Sequence, residues 1–524
     1  MAWLPELVCR SRLGIAPASK WYGLAVFSWA ASMLSGCTVG PDYVAPKTAM
    51  PASYTEQVNV ARGSGSTAAT AATAATAATA ATAATAATAN DAWWKNFGDP
   101  VLDKLEDEAL QSAPDLAVAE ARVREARALR GVAGAALYPQ VDAGAAYDRT
   151  HGSANVPIGV PPGGLGPGID GNLWQAGFDA SWEIDVFGGT RRTIEAANAS
   201  YQAAVEERRD VVLTLLAEIS RNYIELRGAQ RRLAVAQDNL AIQQDALTLT
   251  RSQFDAGLAS RLDVLRAQAQ VSDTQSVIPD LETDRRAAIY RIGALVGRPP
   301  EDLLAELNPS QAIPSPVNDV PVGLPSDLLK RRPDIRAAER RLAAANARIG
   351  IAQADLYPHF SLTGVAGLES LDASTFLSAP SRYLSIGPSI TWLVFDAGKV
   401  RFTIQAEHAR TDAAASSYQR SVLNALRDVE TALVSYGQSR IRRVQLAAEV
   451  AADRDAVTVA TRLYSQGLAD FLAVLDAERS LYAADDKLAQ TDRDTDLALV
   501  TLYKSLGGGW QAYDASTLFS GQAP

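Results

Sequence analysis

The chain has 524 residues, 48% of them hydrophobic, 21% charged and 7% aromatic, with a formal net charge of −10 and two cysteines. These values exclude an intrinsically disordered chain, a disulfide-stapled miniprotein and a basic nucleic-acid binder. The length suits two or three ordinary domains, yet the pattern below points to one elongated, internally duplicated body.

Arg10, Arg12 and Lys20 precede an apolar run, Leu24 to Ala31, that ends in Leu34-Ser35-Gly36-Cys37. A basic start, a short apolar stretch and small residues predict a secretory leader over 1–36, too short for a comfortable membrane span. Leu-Ser-Gly-Cys resembles the bacterial lipobox, which makes Cys37 the lipid anchor and the new N-terminus. Thr38 in the next position, rather than Asp, resembles lipoproteins sorted to the outer membrane. Cys9 lies inside the leader, so processing leaves no pair for an intramolecular disulfide. No later stretch reaches the ~18 to 20 apolar residues of a transmembrane helix, so any passage through a membrane by the mature chain must use strands.

Residues 37–92 form an N-terminal extension with little core-forming power. Within it, 67–89 repeat Thr-Ala-Ala, with threonine at every third position from Thr67 to Thr88. A three-residue period drifts around a helix and makes no stable face, so this is read as a low-complexity insert without chemistry. The body begins near Trp93-Trp94.

An internal repeat organises the rest. Asp115, Tyr138 and Pro139 recur 219 residues later as Asp334, Tyr357 and Pro358, and Trp182, Gly257 and Leu258 recur 210 later as Trp392, Gly467 and Leu468. The difference lies between these markers, in a first-half loop containing Pro157 to Gly164. The expected division is a first repeat over 93–310, a linker over 311–324, a second repeat over 325–510 and a tail over 511–524.

Each repeat opens with a stretch rich in Ala, Arg, Glu and Leu, roughly 101–136 and 325–355, which predicts helix. Alternation follows. Val141, Ala143, Ala145 and Tyr147, then Trp174 through Ile184 at every second residue, form one apolar face opposite a polar one. The second repeat offers Phe360, Leu362, Gly364, Ala366 and Leu368, then Leu384, Ile386, Ile390, Trp392 and Val394. Pro388 counts against the last strand unless it lies at an edge or bulge. Four strands cannot close a membrane barrel, which needs about eight, so strands in lipid must be pooled between protomers. A soluble sandwich is the other reading of the same alternation.

Two long helical stretches come next, Gly189 to Gly257 and Gly398 to Gly467. Val212, Ile219, Leu226, Leu233, Leu240, Leu247 and Phe254 fall at seven-residue spacing, and their counterparts are Val422, Val429, Tyr436, Arg443, Val450, Val457 and Tyr464. Such a stripe predicts helices packed side by side. Each ends in a glycine turn, Gly257-Leu258-Ala259 and Gly467-Leu468-Ala469, after which helical signal returns, predicting antiparallel hairpins. The leucine beside each glycine is either a capping contact or a docking knob.

Several ordered motifs carry a resemblance. They are Cys37-Thr38-Val39-Gly40-Pro41-Asp42-Tyr43, Trp93-Trp94 with Phe97 and Asp99-Pro100, and Leu324 to Leu329 followed by Arg331-Arg332-Pro333-Asp334-Ile335. Phe395-Asp396-Ala397-Gly398 and Leu506-Gly507-Gly508-Gly509-Trp510 complete the set. Together they resemble the outer membrane factors of the TolC-like superfamily, in the NodT-type lipoprotein branch serving resistance-nodulation-division efflux pumps. The resemblance implies a mainly α chain with a small β part, four strands and long helical hairpins per protomer. Three protomers would close one β-barrel and one periplasmic α-barrel. It further implies a gated passive duct for small toxic compounds, an adaptor protein docked at Gly257, Leu258, Ala259, Gly467, Leu468 and Ala469, and an inner-membrane pump as the third partner. Tyr464, Leu472 and Asp476 are then the periplasmic aperture, three copies of the last two making an apolar and a carboxylate ring. A solvated surface carboxylate is the plainer reading of Asp476. Ser465 stands where many relatives carry Arg, which removes the cation of any gate latch built on it.

Catalysis is not expected. His151, His359 and His408 are scattered over a loop, a strand start and a helix, and no phosphate cradle follows a strand. No metal or other cofactor is implied, and the acidic balance argues against nucleic acid. The acidic run Asp485, Asp486, Asp492, Asp494 and Asp496 reads as a solvated or tunnel-facing stripe that favours cations. A channel for type I polypeptide export and a non-conducting coiled-coil spacer remain the alternatives.

Overall fold

The computed structural model describes residues 38–56, 92–151, 170–316 and 322–517. The expected leader, Cys37, the Thr-Ala-Ala insert and the Pro157 to Gly164 loop lie outside the described residues.

A similar series of elements occurs twice, the first opening with one more long helix than the second. The first comprises α1 (Pro100–Ser112), α2 (Pro114–Ala135), β1 (Gln140–His151), β2 (Asp170–Ile184), α3 (Gly189–Asp255) and α4 (Arg261–Val296). The second comprises α5 (Pro333–Ala354), β3 (His359–Ser370), β4 (Arg382–Thr391), α6 (Lys399–Ser465) and α7 (Phe471–Leu506), followed by α8 (Trp510–Thr517). The long helices α3 and α6 both have 67 residues, and their return helices α4 and α7 both have 36. No helix among the described residues is long and apolar enough to cross a membrane.

Residues separate into two compact units, each drawing on both repeats. One takes the described parts of 1–43, 130–197 and 345–410, and is built around a four-stranded antiparallel sheet of order β1-β2-β3-β4. The register sets Val141, Ala143, Ala145 and Tyr147 opposite Ala180, Phe178, Ala176 and Trp174, so the apolar residues share one face across the strands. Pro388 lies opposite Leu362 in β4, an edge strand, where a missing N–H is tolerated. β4 ends at Thr391, so Trp392 and Val394 lie beyond the strand that alternation placed them in. The Trp392 indole instead donates to Leu356 O at 3.1 Å, as Trp182 donates to Leu137 O at 2.9 Å. The repeat markers thus do the same work in both halves: Trp182 near the end of β2 and Trp392 just beyond β4 each tie to the chain that follows the preceding helix.

The second unit, the described parts of 44–129, 198–344 and 411–524, holds the main core. Asp99 caps α1 by accepting from Val101 N at 2.9 Å and Leu102 N at 3.2 Å, directing Leu102 and Leu105 inward. Fully buried Trp93 stacks on Tyr503 with ring centroids 5.1 Å apart. The C-terminal glycine motif fits against the arginine motif. Trp510 Nε1 donates to Arg331 O at 2.9 Å, Arg332 Nη1 donates to Ser505 O at 3.1 Å, and Gly507 adopts φ +73° against Arg332.

The seven-residue stripe is largely buried, including Val212, Ile219, Leu226, Leu247, Val422, Val429, Tyr436 and Val450. Arg443, its one charged position, is exposed and pairs with Asp492 of α7 at 2.5 Å. Truncating Trp93 to Ala should cost about 3–5 kcal/mol of packing, seen as a lower midpoint in thermal melting followed by circular dichroism.

Candidate functional site

Both hairpin turns are built alike. Gly257 N donates to Phe254 O at 2.9 Å and Leu258 N to Gln253 O at 2.8 Å, matched by Gly467 N to Tyr464 O at 3.0 Å and Leu468 N to Leu463 O at 2.9 Å. This pair of bonds is a Schellman cap, which needs a left-handed residue, and the glycines stand at φ +75° and +69°. Return helices start on side-chain caps: Ser260 and Asp263 form a capping box on α4, and Asp470 accepts from Ala473 N at 3.2 Å on α7. Such caps usually bury an apolar residue beside the glycine, but Leu258 is 79% and Leu468 71% exposed. Neither leucine is used by its own turn, and Ala259 and Ala469 are half-buried beside them.

The three expected aperture residues separate. Leu472 and Asp476 are exposed one turn apart on α7, sharing a face. Tyr464 is buried in a cluster with Leu247, Val271, Phe471, Val474 and Leu475, its ring 5.5 Å from Phe471. Within this protomer the phenol is therefore a packing element, apart from the face that carries Leu472 and Asp476. Ser465 Oγ donates to Arg462 O at 2.8 Å, a local bond within the last turn of α6.

One feature escaped the sequence reading. Phe254, the last member of the first stripe, is exposed, as are Leu262 and Leu265, so an open apolar patch joins Leu258 at the first tip. The signal was available 210 residues on, where Phe471 supplies an aromatic partner for Tyr464 and its counterpart near Phe254 is Arg261.

The acidic run is not the bare stripe that its spacing suggested. Asp486 pairs with Arg232 at 2.7 Å, Asp492 with Arg443 at 2.5 Å, Asp494 with Arg493 at 2.7 Å and Asp485 with Arg454 at 3.6 Å. Spacing along one helix cannot show the arginines that α3 and α6 bring to it. Asp496 is buried beside a cavity of about 750 Å³ that Arg231, Arg440 and Arg443 also line. Burial raises its carboxyl to about 8, with Asp492 adding and Arg443 opposing.

A second cluster fixes the chain that follows Cys37. The buried Arg192 donates from Nε to Val39 O at 3.1 Å and from Nη2 to Gly40 O at 3.0 Å and Asp42 Oδ1 at 2.8 Å, while Nη1 reaches Glu195 at 2.7 Å. Asn346 Nδ2 donates to Pro41 O at 2.9 Å, and Gly40, at φ +97°, lies against the backbone of Gly350. The Val39 to Asp42 motif is thus gripped by two helices of the sheet-bearing unit. Sequence reasoning gave Arg192 no role.

Two outcomes follow. Gly467→Ala should destabilise the fold by about 1 kcal/mol through its positive φ, whereas Leu468→Ala should stay within about 0.5 kcal/mol, both read by thermal melting. Asp496 has a folded pKa above its unfolded one, so its contribution is complete below the ordinary carboxylate range and is lost as pH rises through about 8. Wild type should therefore melt progressively lower as pH rises from the ordinary carboxylate range to about 8, with no further contribution from this group above that, and Asp496→Asn should flatten that slope.

Set against known proteins, residues 105–298 and 324–508 match the family model described as outer membrane efflux protein, one stretch for each repeat. The pyoverdine export outer membrane protein OpmQ of Pseudomonas putida is 35% identical, covering 80% of this chain and 88% of its own. The solvent efflux pump outer membrane protein SrpC of Pseudomonas putida is 33% identical over 94% of this chain and 99% of its own. Among solved structures, the outer-membrane channel OprN superposes with a TM-score of 0.78 at 37% identity, covering 91% of this chain and all of that one. With the family model spanning both repeats, and the sheet and paired hairpins shared with a solved channel, the chain belongs to the outer membrane efflux protein family.

Proposed function

We propose that the chain is the outer-membrane exit duct of a tripartite efflux pump, a passive gated channel that carries small toxic compounds across the periplasm and outer membrane. The observation that carries this reading is the sheet: four antiparallel strands with β1 and β4 each paired on one side only, joined to two long helical hairpins. Unpaired strand edges in hydrocarbon cost several kcal/mol per group, so protomers pool their strands. Three copies give twelve strands, and the helices continue as the periplasmic conduit.

In this reading the repeats 93–310 and 325–510, joined by the linker 311–324, supply equivalent halves. The tail after 510 packs back through Asp514 on Arg208 at 3.3 Å. Cys37 carries the lipid, and Arg192 grips Val39 to Asp42, the chain that follows it. A periplasmic adaptor docks on Leu258, Leu468 and their glycine turns, joined by the apolar patch of Phe254, Leu262 and Leu265, and links the duct to a resistance-nodulation-division pump in the inner membrane. The aperture is set by Leu472 and Asp476, with Tyr464 supporting it from the core behind. Docking shifts the tips toward an open state, and solute leaves by diffusion.

Single-channel current in a planar bilayer tests this. Wild type should conduct little and favour cations, Asp476→Ala should lower the cation preference, and Leu472→Ser should raise the current several-fold. Selectivity unchanged by Asp476→Ala would remove that ring from the gate, and silence of both variants would favour a non-conducting spacer. Co-purification of an ATP-driven inner-membrane exporter in place of the pump would favour polypeptide export.

A further inference from the structure

A cavity of about 210 Å³ lies between α3, α6 and α7 behind the second tip, and its walls include Leu249, Tyr464, Phe471 and Val474. Two carboxylates face it, Asp245 from α3 and Glu478 from α7. Glu478 is only 3% exposed, and no lysine, arginine or histidine is among the lining residues. The buried Tyr464 hydroxyl, on the same wall, has no hydrogen-bond partner among the described residues. Arg479, next to Glu478, donates to Gln270 of α4 at 2.6 Å.

A carboxylate in such a place requires either a proton or a cation. We propose that this cavity is a binding site for a small organic monocation of the arylalkylammonium class. Its apolar part lies against Phe471, Val474 and Leu249, and its ammonium donates to Glu478 and Tyr464 Oη. Aromatic faces add to the attraction for the cation, and exposed Asp245 contributes at longer range. The wall chemistry selects against both extremes: a plain hydrocarbon leaves Glu478 uncompensated, and an inorganic ion leaves the apolar walls unfilled.

The titratable groups facing the cavity are Asp245, Tyr464 and Glu478 itself. Burial alone raises Glu478 to about 7. A cation binds the ionised form, so affinity should rise about tenfold from one pH unit below that midpoint to one above. The site does not depend on the duct reading, because it is formed within one protomer.

Calorimetric titration of the detergent-solubilised full-length protein with benzylammonium, which keeps its charge throughout this range, tests the proposal, with benzyl alcohol as the neutral probe. Binding of the amine should strengthen with pH as stated, and the alcohol should bind at least tenfold more weakly above the midpoint. Glu478→Gln keeps the shape and removes the buried charge. It should fold with an unchanged circular dichroism spectrum, lose about tenfold in affinity and lose the pH dependence, while Asp245→Asn should lose only two- to threefold. Absence of heat at millimolar amine, equal binding of the alcohol, or an unchanged affinity in Glu478→Gln would each overturn it. Because channel current is not the readout, failure here leaves the duct reading standing, and failure of conduction leaves this site standing.

Discussion

The constraint on which the rest depends is the pairing of backbone groups in a sheet with two open edges. Within one protomer the four strands satisfy each other through β1-β2-β3-β4 and, among the described residues, leave the outer sides of β1 and β4 without a neighbour. In water such edges invite aggregation, and in hydrocarbon they are untenable. A chain of this kind must close with copies of itself before its sheet is stable in a bilayer. Exposed Phe178, Leu384, Ile386 and Ile390 on the sheet add the same demand from the side chains, since water is the wrong solvent for them.

Duplication shares that burden between two halves of one chain, and it made the fold legible in the sequence. Two-residue alternation placed the strands and seven-residue spacing placed α3 and α6, because each pattern reports directly which side of a regular element is covered. The break at Arg443 looked like an imperfection and is an ion-pair position serving Asp492. Alternation overran the end of β4 because Trp392 remains apolar after pairing stops, its indole taken by Leu356 O. In the same way, nothing local marks Arg192 as the residue that grips the chain after Cys37. Two of its four acceptors are backbone carbonyls some 150 positions away, which no side-chain pattern records.

Buried carboxylates were the least legible feature. Asp496 and Glu478 sit on α7 among aspartates and arginines that look alike in sequence, and only the facing helices decide which of them meet water. Asp486 and Asp492 are half-buried and each receives an arginine across the helix interface. Asp496 and Glu478 are covered instead, and each is left titrating near neutrality. The same helix therefore carries arginine-paired carboxylates and covered ones a few turns apart, a distinction set by tertiary neighbours rather than by residue type.

The two tips show where the halves have parted. Their backbones are held by the same Schellman bonds and the same left-handed glycines, so the turn itself has not changed. Among the side chains that differ, the one with the largest effect on packing stands at the start of the return helix: Phe471 in the second half, Arg261 in the first. Phe471 gives Tyr464 an aromatic neighbour and closes a core with Val474 and Leu475, whereas Phe254, Leu262 and Leu265 stay exposed. That core also takes Leu247 and Val271 from the first hairpin, so it is shared by both, while the first tip keeps an exposed apolar surface. With the turns alike, the side chains alone distinguish a first tip with an exposed apolar surface from a second tip whose tyrosine is covered.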